Sequence, residues 1–197
     1  MSKLRLIILA GPNGAGKSTI AKYLLTEKYL IDEFVNADAI AVGLSAFAPE
    51  AVSFEAGRIM LRRIMLRRIN TLLENKSSFA FETTLASKCF LRLIERAQAS
   101  SYLVTLVYVA LPSAQLAKRR VARRVKEGGH SIPENVIERR FYRSMDNLIF
   151  RYRKVADEWF AYDNAELRTP MLVAHGSGAI EKSLRNRNGR DYRRSQR

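Results

Sequence analysis

The sequence predicts an α/β protein, a parallel sheet with helices on both faces, and three observations lead there. Short apolar runs without polar alternation recur along the chain, "LRLIILA" (4–10) and "YLVTLVYVAL" (102–111) being the clearest. Strands buried on both faces have this character. Stretches with helical spacing separate the runs, and alternation of strand and helix builds parallel sheets. Polar, ligand-capable residues stand at the strand ends, at Gly11, Asp38 and Glu82. In open parallel sheets ligands gather at the carboxyl ends of the strands.

Taken in order, "LRLIILA" is the first strand and "KSTIAKYLLTEKY" the helix after it. "EFVNAD" (33–38) is a second strand ending on a carboxylate, followed by a long helix from Pro49 to about Lys76. Within that helix "IMLRRIMLRRI" repeats five residues once, too short an echo for a solenoid. "SSFAFETT" (77–84) is the third strand, "SKCFLRLIERAQA" a helix, and "YLVTLVYVAL" the fourth strand. An arginine-rich helix from Ser113 to Lys126 ends at Gly128 and Gly129, and a second long helix runs from about Pro133 to Phe160. Ser131-x-x-Glu134 has the form of a capping box at its start. "TPMLVAH" (169–175) is the last expected strand.

A chain of 197 residues with 47% hydrophobic content forms one domain, residues 1–180, with a basic tail at 181–197. The net charge of +15 implies anionic partners without separating nucleotides from nucleic acid. A single cysteine, Cys89 between apolar neighbours, excludes a disulfide framework and reads as a buried structural thiol. The opening apolar run is short for a secretory signal and no stretch has membrane-spanning length, so the expectation is a cytoplasmic protein without a membrane partner.

"GPNGAGKS" fits G-x-x-x-x-G-K-[ST], between a predicted strand and a predicted helix. This is the signature of a P-loop NTPase or kinase fold. Gly11, Pro12, Asn13, Gly14, Ala15, Gly16, Lys17, Ser18 and Thr19 are the expected nucleotide-binding residues. The glycines let backbone N–H groups turn toward phosphate oxygens, Lys17 supplies a point charge, and the Ser18 hydroxyl is a Mg²⁺ ligand. The cofactors expected are therefore ATP and Mg²⁺. An "LSGGQ" signature and an "NKxD" guanine motif are both missing, which excludes the transporter ATPase and GTPase branches and leaves kinases. A kinase acting on a hydroxyl gains from a carboxylate that takes its proton. Asp38 is placed for that role, the alternative being the N-cap of the next helix.

"GPNGAGKST", "VNADAIA", "EAGRIML", "FETTLAS" and "RRVARRVKEGGHSIPENVIERRFYRSMDNL" together resemble the zeta-toxin family of P-loop kinases, over about residues 4–175. The likeness is to its short bacterial members, often labelled predicted ABC-type ATPases. The resemblance implies transfer of the ATP γ-phosphoryl group to a hydroxyl of a small molecule, UDP-N-acetylglucosamine in well-studied zeta toxins. It implies Asp38 as base, and Arg58, Glu82, Thr83 and Thr84 as acceptor-pocket residues. Arg120 and Arg124, with Arg140 across the turn, become a clamp on the transferring group, in a helical lid at about 118–140. A small antitoxin protein is the partner it suggests.

Helical spacing supports the division of the arginines. Ala114, Ala117, Val121 and Val125 form an apolar stripe, Arg120 and Arg124 flank it, and Arg119 and Arg123 face outward. His130 in the turn reads as a loop hydrogen bond or cap. The other function classes are a nucleotide-binding module or switch, in which ATP only orders the lid, and a polynucleotide or RNA kinase, or nucleic-acid-binding P-loop ATPase, using the basic surface; the aromatics Phe141, Phe150, Trp159 and Phe160 read as packing instead.

Overall fold

The computed structural model describes residues 3–44, 55–129, 131–166 and 170–183. The expected start of the long helix at Pro49, His130 and the tail beyond Ser183 lie outside the described residues. Strand β1 (Arg5–Ala10) leads into α1 (Lys17–Lys22), which widens into a π-helical turn at Tyr23–Lys28. Strand β2 (Glu33–Val35), helices α2 (Ala37–Leu44) and α3 (Glu55–Glu74), strand β3 (Phe79–Thr83), helix α4 (Leu91–Ala99) and strand β4 (Leu103–Ala110) come after it. Helices α5 (Ala114–Lys126) and α6 (Glu134–Asn147) are next, then a π-helical turn at Leu148–Tyr152 and the short α7 (Arg153–Val155). Strands β5 (Glu158–Asp163), β6 (Met171–Ser177) and β7 (Ile180–Ser183) complete the described chain.

The seven strands form one sheet in the order β2-β3-β1-β4-β5-β6-β7. The first five are parallel, while β6 and β7 fold back antiparallel on β5. Alternate residues of β1 divide between two cores, as the two-residue period of a strand requires. Leu6, Ile8 and Ala10 join Ile69, Leu72, Ile94 and Tyr152 on one face. Ile7 and Leu9 join Ile20, Leu24, Ala117 and Val121 on the other. Helix α6 serves both: Ile137 and Phe141 pack with α5, whereas Leu148 and Tyr152 past its end pack with α3 and α4. Midway, the Ser144 and Tyr108 hydroxyls share a buried hydrogen bond of 2.9 Å.

Several expectations are corrected. The long second helix stops at Val155, and Glu158–Asp163, read as the end of that helix and the connection after it, is the fifth parallel strand. Asp157 explains the break: its carboxylate accepts the Val104 amide at 2.7 Å and aligns β5 beside β4. Trp159 and Phe160 are therefore strand residues, and Phe150 is 58% exposed instead of packed. The capping box does not form, because α6 starts at Glu134 with Pro133 at its cap and no side-chain cap bond. The first residues of the tail expected from residue 181 belong to strand β7, which runs to Ser183. Cys89 is half-buried against the core, not fully enclosed. Val125, expected on the apolar stripe of α5, is 36% exposed, while Ala114, Ala117 and Val121 are buried.

Candidate active site

Strand order explains where the site lies. Strand β1 sits between β3 and β4, so the chain leaves β1 at a point where connections diverge to either side. The loop after β1 is the "GPNGAGKS" segment. Leu9 is in register with Glu82 and Ala10 with Thr83, which brings the end of β3 alongside the loop. Gly14 and Gly16 have φ of 74° and 81°. A Cβ on Gly16 would stand 2.7 Å from Asn164 Nδ2, and one on Gly14 would stand 3.0 Å from the Ala117 carbonyl oxygen. Side chains are thus excluded from the loop by conformation and by space.

Lys17 opens α1 and is 7% exposed. Its ammonium donates to the Pro12 carbonyl at 3.1 Å and stands 3.5 Å from Glu82 Oε1. Burial lowers its pKa, opposed by the attraction of Glu82 and, more weakly, of Asp38. Glu82 also accepts from Ser18 Oγ at 3.0 Å and from Asn36 Nδ2 at 2.8 Å. Asn36 Oδ1 in turn accepts the amides of Asp38 at 2.7 Å and Ala39 at 3.2 Å. Asn36 therefore caps α2, and the N-cap alternative for Asp38 is removed. Asp38 lies in the first turn of α2, 72% exposed, with Oδ2 at 3.8 Å from Arg124 Nη1. The positive end of the helix favours its carboxylate there.

The structure thus brings Lys17, Ser18, Glu82, Asp38 and Arg124 together, with Asn36 bridging two of them. The remaining expected residues divide. Thr83 Oγ1 accepts the Leu85 amide at 3.0 Å, so its hydroxyl shapes the following loop. Thr84 is half-buried beside it, and Thr19 is exposed on α1. Arg58 belongs to α3, its side chain lying outside the described residues, and Arg140 is half-buried on α6. Arg120 is also one of the residues expected in the clamp. Its guanidinium donates to the Ala165 carbonyl at 2.8 Å and to that of Gly14 at 3.5 Å, tying the loop after β5 to the glycine loop. Burial lowers its pKa, and the Asp163 charge opposes this. Asn164 adds a second tie, donating to the Ala15 carbonyl at 2.8 Å while 1% exposed.

Asn36 and Asn164 were not among the residues expected from sequence. A signal existed for Asn36, since Asn-x-Asp before a helix is a cap pattern. None existed for Asn164 once its strand was read as helix.

The residues present fit Mg²⁺. The Ser18 hydroxyl and Glu82 carboxylate are adjacent hard oxygen donors, the type Mg²⁺ uses together with phosphate oxygens. Among the described residues no group of three or more His, Cys, Asp or Glu forms an all-protein metal cage. Nor is any described helix long and apolar enough to cross a membrane.

A glycine cradle with a buried lysine, on a mostly parallel sheet, defines a P-loop nucleotide-binding protein with a kinase-like fold. A family model described as an AAA domain, AAA_33, matches residues 6–146, and the chain belongs to that family. An uncharacterised protein of Haemophilus influenzae is 26% identical over 137 residues, spanning 70% of this chain and 92% of its own. Among solved structures, the AvrRxo1-ORF1:-ORF2 complex with ATP is similar at a TM-score of 0.66 and 18% identity, covering 92% of this chain. The chain spans 60% of that protein's length. The PezAT toxin–antitoxin system of Streptococcus pneumoniae is similar at a TM-score of 0.63 and 15% identity, covering 86% of this chain and 71% of that one.

Proposed function

We propose that the protein is an ATP- and Mg²⁺-dependent phosphotransferase that moves the γ-phosphoryl group onto a hydroxyl of a small molecule. One observation carries this reading. Asn36 places two acidic residues in different surroundings: its Nδ2 donates to the Glu82 carboxylate, which faces Lys17 and Ser18, and its Oδ1 accepts the backbone amide of Asp38, whose own carboxylate is open to solvent beside Arg124. A nucleotide-binding switch needs the first carboxylate only. A kinase of hydroxyl acceptors needs both.

In this reading the loop amides and Lys17 hold the triphosphate. Ser18, with Glu82 behind it, would hold Mg²⁺, which when bound offsets charge on the phosphate oxygens. Asp38 takes the proton of the acceptor hydroxyl as its oxygen bonds to the γ-phosphorus and the bond to the leaving ADP breaks. Arg124 stands beside Asp38 and supplies positive charge at the same place. Glu82 moves from the acceptor pocket to the metal side, and Arg120 becomes a strut of the cradle. The resemblance to zeta toxins suggests a nucleotide sugar such as UDP-N-acetylglucosamine as acceptor and a small antitoxin as partner. The likeness to the PezAT toxin–antitoxin system is in keeping with the second of these.

A second reading has one observation in its favour. Arg62, Arg63 and Arg67 lie exposed along α3, and the net charge is +15, which suits a polynucleotide acceptor. One assay separates the two: γ-labelled ATP offered with nucleotide sugars, mononucleotides and short RNA, the products identified by mass spectrometry. Asp38→Asn is expected to keep ATP affinity while turnover falls about 10²–10⁴-fold. Full turnover in that variant would remove Asp38 as base. Label on RNA alone would select the polynucleotide reading.

A further inference from the structure

The peptide joining Ala15 to Gly16 lies within the glycine loop, and its local sequence alone leaves it free to turn over. Gly16 has φ of 81°, and glycine takes either sign of φ about equally readily. In a planar trans peptide the carbonyl and the N–H point to opposite sides. Turning this unit over would withdraw the Gly16 N–H from a bound phosphate and present the Ala15 oxygen instead. Attraction would become repulsion.

The carbonyl oxygens of the loop are held by donors. Pro12 accepts the Ala15 amide at 3.2 Å and the Lys17 ammonium at 3.1 Å, and Gly16 accepts the Ile20 amide at 3.2 Å. These bonds are internal to the loop and its helix. Two further donors come from outside, Arg120 to Gly14 at 3.5 Å and Asn164 Nδ2 to Ala15 at 2.8 Å. The asparagine bond is the shorter and the better anchored. The Asn164 backbone amide donates to the Ala110 carbonyl at the end of β4 at 3.1 Å, and the Asp163 carboxylate accepts the Ala165 amide at 2.8 Å. The side chain packs so close to the loop that a Cβ on Gly16 would stand 2.7 Å from Nδ2. The bond joins residues 149 positions apart, so local sequence gives no sign of it.

Folding alone does not account for an amide at this place. Asn164 Oδ1 is buried without a hydrogen-bond partner, which lowers stability. Among the described residues the buried side-chain polar atoms in this state are Asn13 Oδ1 and Asn164 Oδ1, one in the glycine loop and one against it. Asn164 is therefore kept for its donor, and its acceptor is left over. Local rules of this kind are broken where function sets the demand.

We propose that Asn164 is a positioning residue for nucleotide binding: by holding the Ala15 carbonyl it keeps the Ala15–Gly16 peptide turned for phosphate before the nucleotide arrives. The inference rests on the nucleotide-binding half of the phosphotransferase reading and not on the acceptor. A loop set in advance spends no binding energy on its own ordering, so the effect of Asn164 is read as affinity.

The test is calorimetric titration of the full chain with ATP and Mg²⁺, for the wild type and three variants, with the melting temperature of each free protein measured alongside. Asn164→Ala is expected to weaken ATP about tenfold or more. Its melting temperature should change little, since the unpaired acceptor leaves together with the donor. Asn164→Asp keeps the volume and replaces the donor by a carboxylate. Burial raises the pKa of such a carboxyl, and its protonated form can again donate to Ala15. The deficit of this variant against wild type should therefore be large at about pH 8 and shrink toward about pH 5. Ser144→Ala breaks the buried bond to Tyr108 elsewhere in the core, and should lower the melting temperature while ATP affinity stays at the wild-type value. Wild-type affinity in Asn164→Ala overturns the inference, as does an Asn164→Asp deficit that ignores pH. An equal loss of affinity in Ser144→Ala would reduce the effect to general destabilisation and overturn it too. A wild-type protein that binds no ATP would bring down the nucleotide reading itself, and the inference with it.

Discussion

Lys17 combines two conditions that a surface lysine never meets, near-complete burial and a carboxylate at 3.5 Å. Desolvation is the larger influence and lowers its pKa from the ordinary 10.5. Triphosphate brings negative charge that favours the protonated form, so the bound protein holds the Lys17 proton to higher pH than the free protein. Between the two values binding takes up protons, and affinity falls as pH rises through the lowered free-state pKa. ATP affinity should therefore start to decline below pH 10.5, by up to about tenfold per pH unit. Calorimetry in buffers of different ionisation enthalpy would register the proton uptake, and Lys17→Ala should remove it. At this scale much was legible from sequence. "GPNGAGKS" is a local spacing whose chemistry travels with it, and Glu82 could be placed from a strand end, whereas Asp38, read as the end of the second strand, stands in the first turn of α2. The cap at Asn36 left a local signal, but its bond to Glu82 did not, because that bond exists only when β2 and β3 bring the two within 2.8 Å.

Between elements, α5 is fixed in its N-terminal half by identifiable contacts. Ser113 Oγ accepts the Leu116 amide at 3.2 Å, and Lys118 pairs with Glu138 at 2.7 Å and Glu134 at 3.6 Å, fastening α5 to α6. Both partners of Lys118 are open to water, so the cap is the more dependable contribution. Ser113→Ala should lower stability by about 1 kcal/mol in urea unfolding, with an unchanged slope. The face that α5 shows the cradle was readable from its periodicity, but what lies against that face was not. The resemblance aims Arg120 at phosphate, and its bond to the Ala165 carbonyl was hidden because the stretch before that residue reads as helix. No Gly or Pro precedes Glu158, so the switch from the 3.6-residue period of α6 to the two-residue period of β5 had no punctuation. Asp157 makes that boundary through Val104, a residue 53 positions away.

At the level of the whole molecule, ligand and fold should be linked. A nucleotide that binds only the folded chain adds about 2.7 kcal/mol of stability at 100 times its Kd. Melting of the protein with saturating ATP and Mg²⁺ should show the corresponding upward shift, and Lys17→Ala should abolish it without lowering the melting point of the free protein by a similar amount. The parallel pairing, though not the strand order, follows from the alternation of strands and helices as far as β4. Beyond it, the antiparallel return of β6 and β7 depends on contacts such as Trp159 Nε1 donating to the Gly178 carbonyl at 3.1 Å. Helix α6 has the widest consequence. Because Phe141 is buried in one core and Leu148 in the other, neither layer can melt while the other keeps its full complement of side chains. The domain is therefore expected to have no detachable half, so that amides on opposite faces of the sheet exchange through one opening event.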